Sequence, residues 1–141
     1  MADNTYSTWS RGSLAKYDTI VFDCDGVLWR SNNLLPNVSE MISELRRQNK
    51  RIVFCSNNSM KSRSEFLSTF KSHGIDVDAR EVYSSAVTIS TLILAEKSFD
   101  KARDKVYVIG FTGLKDQLRE CGVQVVDSDN VVRFKASERV K

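Results

Sequence analysis

The stretch 20-IVFDCDGVLW-29 decides how the rest of the chain is read, because an apolar run ends abruptly in two aspartates and a glycine. Residues 19–22 are apolar or β-branched, as expected of a strand covered on both faces. Asp23 then falls at the strand's last position and Asp25 just beyond it. Gly26 permits a sharp turn and close approach of the backbone to a ligand. Aspartates are also ordinary turn and cap residues, so the pair alone leaves a purely structural role open.

Working outward, strand and helix patterns alternate. Pro36 and Asn37 open a helix to about Asn49, with Val38, Met41, Ile42 and Leu45 on one face. Residues 51–55 make a second strand. Ser62 and Glu65 form a capping-box pattern at the start of a helix whose inner face is Phe66, Leu67 and Phe70, and Gly74 stops it. His73, beside that stop, reads as a C-terminal capping aid. Residues 81–83 predict a third strand, and 86–97 a helix with Ala86, Ile89, Leu92 and Ile93 as its buried stripe. Residues 97–105 are charged and read as a boundary. Beyond it come a strand at 106–109, a helix at 113–121 stopped by Gly122, and a strand at 123–126. Such alternation predicts an α/β fold, a parallel sheet with helices on both faces. Ligands of such sheets bind beyond the carboxyl ends of the strands.

Composition narrows the classes. The chain has 141 residues, 41% hydrophobic and 28% charged, the balance of a soluble globular protein. Its net charge of +3 suits an anionic small molecule and is too weak to argue for nucleic acid. No apolar run approaches the ~18 residues of a membrane span, and the first residues lack a signal-peptide core. Cys24, Cys55 and Cys121 are odd in number and widely spaced, which suggests free thiols in the cytoplasm. Flanking negative charge disfavours a thiolate at Cys24, which is expected to face the core.

Two carboxylates as close as Asp23 and Asp25 repel unless a cation lies between them. A hard ion such as Mg²⁺ accepts one or two carboxylates, waters and a phosphate oxygen. One carboxylate can then attack phosphorus while the other protonates the leaving alcohol. After the second strand comes 56-SNNSMKS-62, whose hydroxyl, amides and backbone N–H groups before a helix start suit a phosphate. The same residues also make an ordinary capped loop.

Together these residues resemble the haloacid dehalogenase superfamily of phosphatases, in the branch of phosphoglycolate phosphatase, pyridoxal phosphate phosphatase and the 4-nitrophenylphosphatases. The first motif of that family is matched by 23-DCDGVLW-29 and the second by 54-FCSNNS-59. The stretches 84-SSAVTISTLI-93 and 106-VYVIGFTGLKDQLRECGV-123 add to the likeness. The resemblance implies that Asp23 is the nucleophile and a Mg²⁺ ligand. It implies that Asp25 is the general acid/base, with its backbone carbonyl also on the metal. Ser56 and Asn57 would hold the phosphoryl group, with Asn58 nearby. It further implies an incomplete Rossmann-like core over 17–104 after a flexible segment at 1–16, and at 105–141 the beginning of an inserted α/β cap domain with an irregular tail.

The family's third motif, a lysine, and its fourth, an acidic cluster, have no match here. A truncated chain with weak Mg²⁺ binding and little turnover is therefore expected. The expected activity is Mg²⁺-dependent hydrolysis of small phosphomonoesters through an aspartyl-phosphate. The alternative is an inactive interaction module that pairs with a full-length relative or with its own copy. A phospho-receiver domain also uses strand-end acids, but the 56-SNNS-59 rim and the lack of a later strand-end lysine argue against it.

Overall fold

The computed structural model describes residues 14–126 except Asn32. Most of the expected lead-in at 1–16 and the tail at 127–141 lie outside the described residues. Strands β1 (Thr19–Asp23), β4 (Arg51–Ser56) and β5 (Val82–Ser84) form a parallel sheet in the order β1-β4-β5. With four α-helices among the described residues, this is the expected α/β architecture, a partial Rossmann-like core. The chain divides within β4 into two compact units, one ending at Phe54 and one beginning at Cys55.

In the first unit, β1 leads through a turn into a small antiparallel hairpin, β2 (Trp29–Arg30) and β3 (Asn33–Leu34), with Trp29 opposite Leu34. Nothing in the spacing of residues 29–34 announced this hairpin. Helix α1 (Val38–Arg47) follows a left-handed Asn37. Val38, Ile42 and Leu45 are buried along one stripe, whereas Met41 lies at its exposed margin. Glu40 in the first turn and Arg46 and Arg47 in the last complement the helix dipole. The start of β4 is tied to the approach of β1: Arg51 N–H donates to the Asp18 carbonyl at 2.9 Å, and Lys50 Nζ to the Tyr17 carbonyl at 2.6 Å. The rings of Phe22 and Phe54 stack with centroids 6.3 Å apart.

In the second unit, helix α2 (Arg63–Ser72) starts on the expected capping box. Ser62 Oγ accepts from Glu65 N–H, and Glu65 Oε2 accepts from Ser62 N–H at 2.7 Å. The helix ends with His73 at the C-cap. Gly74 N–H donates to the Lys71 carbonyl and Ile75 N–H to the Phe70 carbonyl, pairing the last orphan carbonyls. A short 3₁₀ turn leads into β5, and helix α3 (Ser85–Ala95) begins on Ser84, whose hydroxyl accepts from Val87 N–H. Strands β6 (Lys105–Tyr107) and β7 (Gln124–Val126) pair in parallel as a separate sheet, connected through helix α4 (Thr112–Glu120). Val108, Leu118 and Val123 are the buried centre of this region, packed by Ile93, Phe99 and Leu114. No helix among the described residues is long and apolar enough to cross a membrane.

Helix α3 differs from expectation. Ala86, Val87 and Ser90 are buried, while Ile89 and Leu92 are exposed, Leu92 by 60%. The helix is apolar on nearly every side, so spacing alone does not select its inner face. The small residues won, and buried Ser90 is satisfied by donating to the Val87 carbonyl at 2.8 Å. Accordingly, Leu92→Gln should change unfolding free energy by no more than about 0.5 kcal/mol, whereas Val87→Gln should cost about 2 kcal/mol or more. Urea denaturation of the two variants checks this.

Candidate active site

The acidic pair is built by the turn after β1. Cys24 is buried at 1% exposure, and the flanking Asp23 and Asp25 are exposed, as alternation across a strand end requires. The Cys24 carbonyl gathers the N–H groups of Val27, Leu28 and Trp29, the Leu28 bond being 2.9 Å. Gly26, at φ 85°, makes this reversal possible, and its N–H donates to the Trp29 carbonyl at 2.6 Å. Leu28 and Trp29 are thereby buried, which anchors the turn from beneath. The Trp29 indole N–H donates to Asp25 Oδ1 at 2.9 Å and fixes the direction of that carboxylate. The sequence marked Trp29 only as a motif residue. The signal for its bond was its position four residues after Asp25, where a sharp turn brings the two together.

Among the described residues no group of three or more His, Cys, Asp or Glu side chains could hold a metal ion. Asp23 and Asp25 are nevertheless hard oxygen donors at the surface. They suit a cation that completes its shell from water and a phosphate oxygen. They fit Mg²⁺ as a partial ligand set.

The second group of residues follows β4. Ser56 is the strand's last residue and is buried, Asn57 is exposed, and Asn58 is partly buried. The loop braces itself: Asn58 N–H donates to Ser56 Oγ at 3.1 Å, and Met60 N–H to Asn58 Oδ1 at 2.8 Å. Ser85, the first residue of α3, donates from its hydroxyl to the Asn57 carbonyl at 3.1 Å. Ser85 escaped the sequence reading because its partner lies 28 residues away. Lys61 folds back along α2, with Nζ 3.1 Å from Thr69 Oγ1 and 5.9 Å from the Phe66 ring centre.

One part of the sequence reading needs revision. The first turn of α2 is not an open anion cradle. Ser62 and Glu65 N–H groups are taken by the capping box, and Arg63 N–H by Gln117 Oε1 at 2.7 Å. The phosphate contacts expected of this stretch are thereby limited to residues 56–58, ahead of the helix.

Comparison with known proteins adds to this geometry. Residues 20–124 match the family described as haloacid dehalogenase-like hydrolase. The chain is similar to a 4-nitrophenylphosphatase of Schizosaccharomyces pombe, 39% identical over 77% of this chain and 36% of the relative. It is similar to the chloroplastic phosphoglycolate phosphatase 1A of Arabidopsis thaliana, 38% identical over 76% of this chain and 29% of the relative. Among solved structures, a p-nitrophenyl phosphatase from Archaeoglobus fulgidus superposes with a TM-score of 0.67 at 33% identity, covering 80% of this chain and 41% of that one. The chain thus spans about a third of the length of the curated relatives it matches.

The turn at Gly26 gives a direct test. A Cβ placed there meets nothing within 4 Å, so substitution costs only left-handed backbone strain. Gly26→Ala should lose about 1–2 kcal/mol, Gly26→Asn less and Gly26→Val more. Urea midpoints for the three variants give the order.

Proposed function

This chain belongs to the haloacid dehalogenase-like hydrolases, and on that premise we propose that it carries the nucleophilic half of a Mg²⁺-dependent phosphomonoester hydrolase. The observation that carries the reading is the surface placement of Asp23 and Asp25 at the carboxyl end of β1, inside the matched family segment. The family resemblance of residues 54–59 supports a second, phosphate-holding group at Ser56, the last residue of β4.

An Asp23 carboxylate oxygen attacks phosphorus, and the bond to the ester oxygen breaks as Asp25 gives that oxygen a proton. Ser56 and Asn57 hold the phosphoryl oxygens through their hydroxyl and amide groups, with Asn58 bracing the loop. Asp25, held by Trp29, then takes a proton from water. That water attacks the aspartyl-phosphate and releases inorganic phosphate. The Asp23 carboxylate and the Asp25 backbone carbonyl would hold Mg²⁺, which would offset the repulsion between the anionic nucleophile and the anionic substrate. The substrate class is a small phosphomonoester of the 4-nitrophenyl phosphate, phosphoglycolate or pyridoxal phosphate type. Residues 17–104 are read as the first part of the core and 105–141 as the beginning of a cap. The separate β6-β7 sheet supports that division.

A second reading is favoured by β1. Among the described residues it is an edge strand, and Val21 is 62% exposed. An unprotected apolar edge invites pairing with another strand, from a full-length relative or a second copy. Val21→Lys should then abolish concentration-dependent association seen by analytical ultracentrifugation. An unchanged profile contradicts this reading.

The enzymatic reading is tested with 4-nitrophenyl phosphate, comparing wild type and Asp23→Asn with Mg²⁺ and with chelator. Mg²⁺-dependent release and a mass-detectable phosphoryl adduct on Asp23 are expected in the wild type and neither in the variant. Equal rates in both contradict it.

A further inference from the structure

Helix α4 is joined to the start of α2 by contacts that packing alone does not require. Gly113, in its first turn, is buried against the Met60–Lys61 peptide: a Cβ at this position would overlap the Met60 carbonyl and the Lys61 nitrogen. Only glycine allows the helix to approach so closely. One turn on, Gln117 is 3% exposed, and its Oε1 accepts from Arg63 N–H at 2.7 Å. Its Nε2 donates to Cys121 Sγ at 3.3 Å, which fixes the orientation of the amide. At the last turn, Glu120 Oε1 accepts from Ser62 Oγ at 2.9 Å and from Ser64 Oγ. Three residues of α4, at i, i+4 and i+7, thus engage residues 60–64, more than 50 positions away in sequence.

These contacts have a chemical consequence. The positive end of the α2 dipole is met by the Glu120 carboxylate, and the Arg63 amide by a neutral carbonyl. An incoming phosphate is thereby kept from the helix terminus, where it would otherwise be drawn. The loop before the helix is clamped at its far end by the Gly113 contact and at Asn57 by Ser85.

We propose that α4 is a positioning element for the Ser56–Asn58 phosphate loop, with Gly113 and Gln117 as its positioning residues, and that it confines the phosphoryl group to that loop. The proposal rests on the reading of residues 56–58 as phosphate-binding. It assigns no contact between α4 and substrate.

Amide hydrogen exchange and inorganic-phosphate titration, both followed by NMR on the full chain with Mg²⁺, test it. Gln117→Leu should speed exchange at Arg63, whose N–H loses its acceptor, by about ten-fold or more, and Gln117→Leu and Gly113→Ala should both speed it at Asn58 and Met60 as the loop loosens. They should weaken the phosphate-induced shifts of Asn57 and Asn58 by a similar factor. Gln117→Glu, which keeps an acceptor for Arg63 N–H, should restore both. Unchanged loop exchange in Gln117→Leu overturns the proposal. So does uniformly faster exchange through α2 and α4 that Gln117→Glu fails to reverse, since that is a general loss of packing. If the Gly113 variant does not fold, the Gln117 pair decides. Should the wild type show no phosphate-induced shift, the phosphate reading of residues 56–58 fails, while the exchange data still decide whether α4 fixes the loop.

Discussion

Two carboxylates one residue apart must stay in contact with water or with a cation, because burying either without a partner costs several kcal/mol. The chain from Thr19 to Trp29 is organised by that constraint. The strand delivers Asp23 and Asp25 to the surface on either side of Cys24, and the next residues must return to the interior at once. Gly26 makes the reversal, the Cys24 carbonyl collects three amides, and Leu28 and Trp29 fill the space below. The indole that anchors the turn also holds Asp25. Burial of Trp29 and orientation of the Asp25 carboxylate are therefore one structural event.

The Ser56–Asn58 loop follows a different logic. Beside its internal bonds at Ser56 and Asn58 it is held from outside: Ser85 holds the Asn57 carbonyl, and α4 accepts from the Arg63 amide of the following helix. A helix N-terminus is a ready anion site only while its N–H groups remain available. Here the capping box and Gln117 occupy three of them, and Glu120 adds negative charge beside Ser62 and Ser64. The loop is left as the place where the proposed function puts the phosphoryl group.

The sequence carried the local features well, because each had a short-range cause. The capping box of Ser62 and Glu65, the helix stop at Gly74 and the strand ending in Asp23 all depend on neighbours within a few residues. So does the burial of Cys24 between two exposed aspartates. Helix α3 was read correctly at Ala86 and Ile93 but not at Ile89 and Leu92: it is apolar nearly all round, and only tertiary packing chose Val87 and Ser90 in their place. The hairpin at Trp29 and Leu34 rests on two-residue strands too short to show a period. Ser85, Gln117 and Glu120 were unreadable for a further reason: their hydrogen bonds span 28 to 58 positions, and nothing in a linear sequence pairs them.

The central claim, that the acidic pair at the end of β1 takes a divalent ion, is tested most directly with a paramagnetic one. Mn²⁺ takes the same oxygen ligands as Mg²⁺ and broadens the resonances of nearby amides. The account predicts selective broadening centred on residues 23–26, and its loss in Asp23→Asn. Broadening centred elsewhere on the protein, or unchanged in Asp23→Asn, would contradict it.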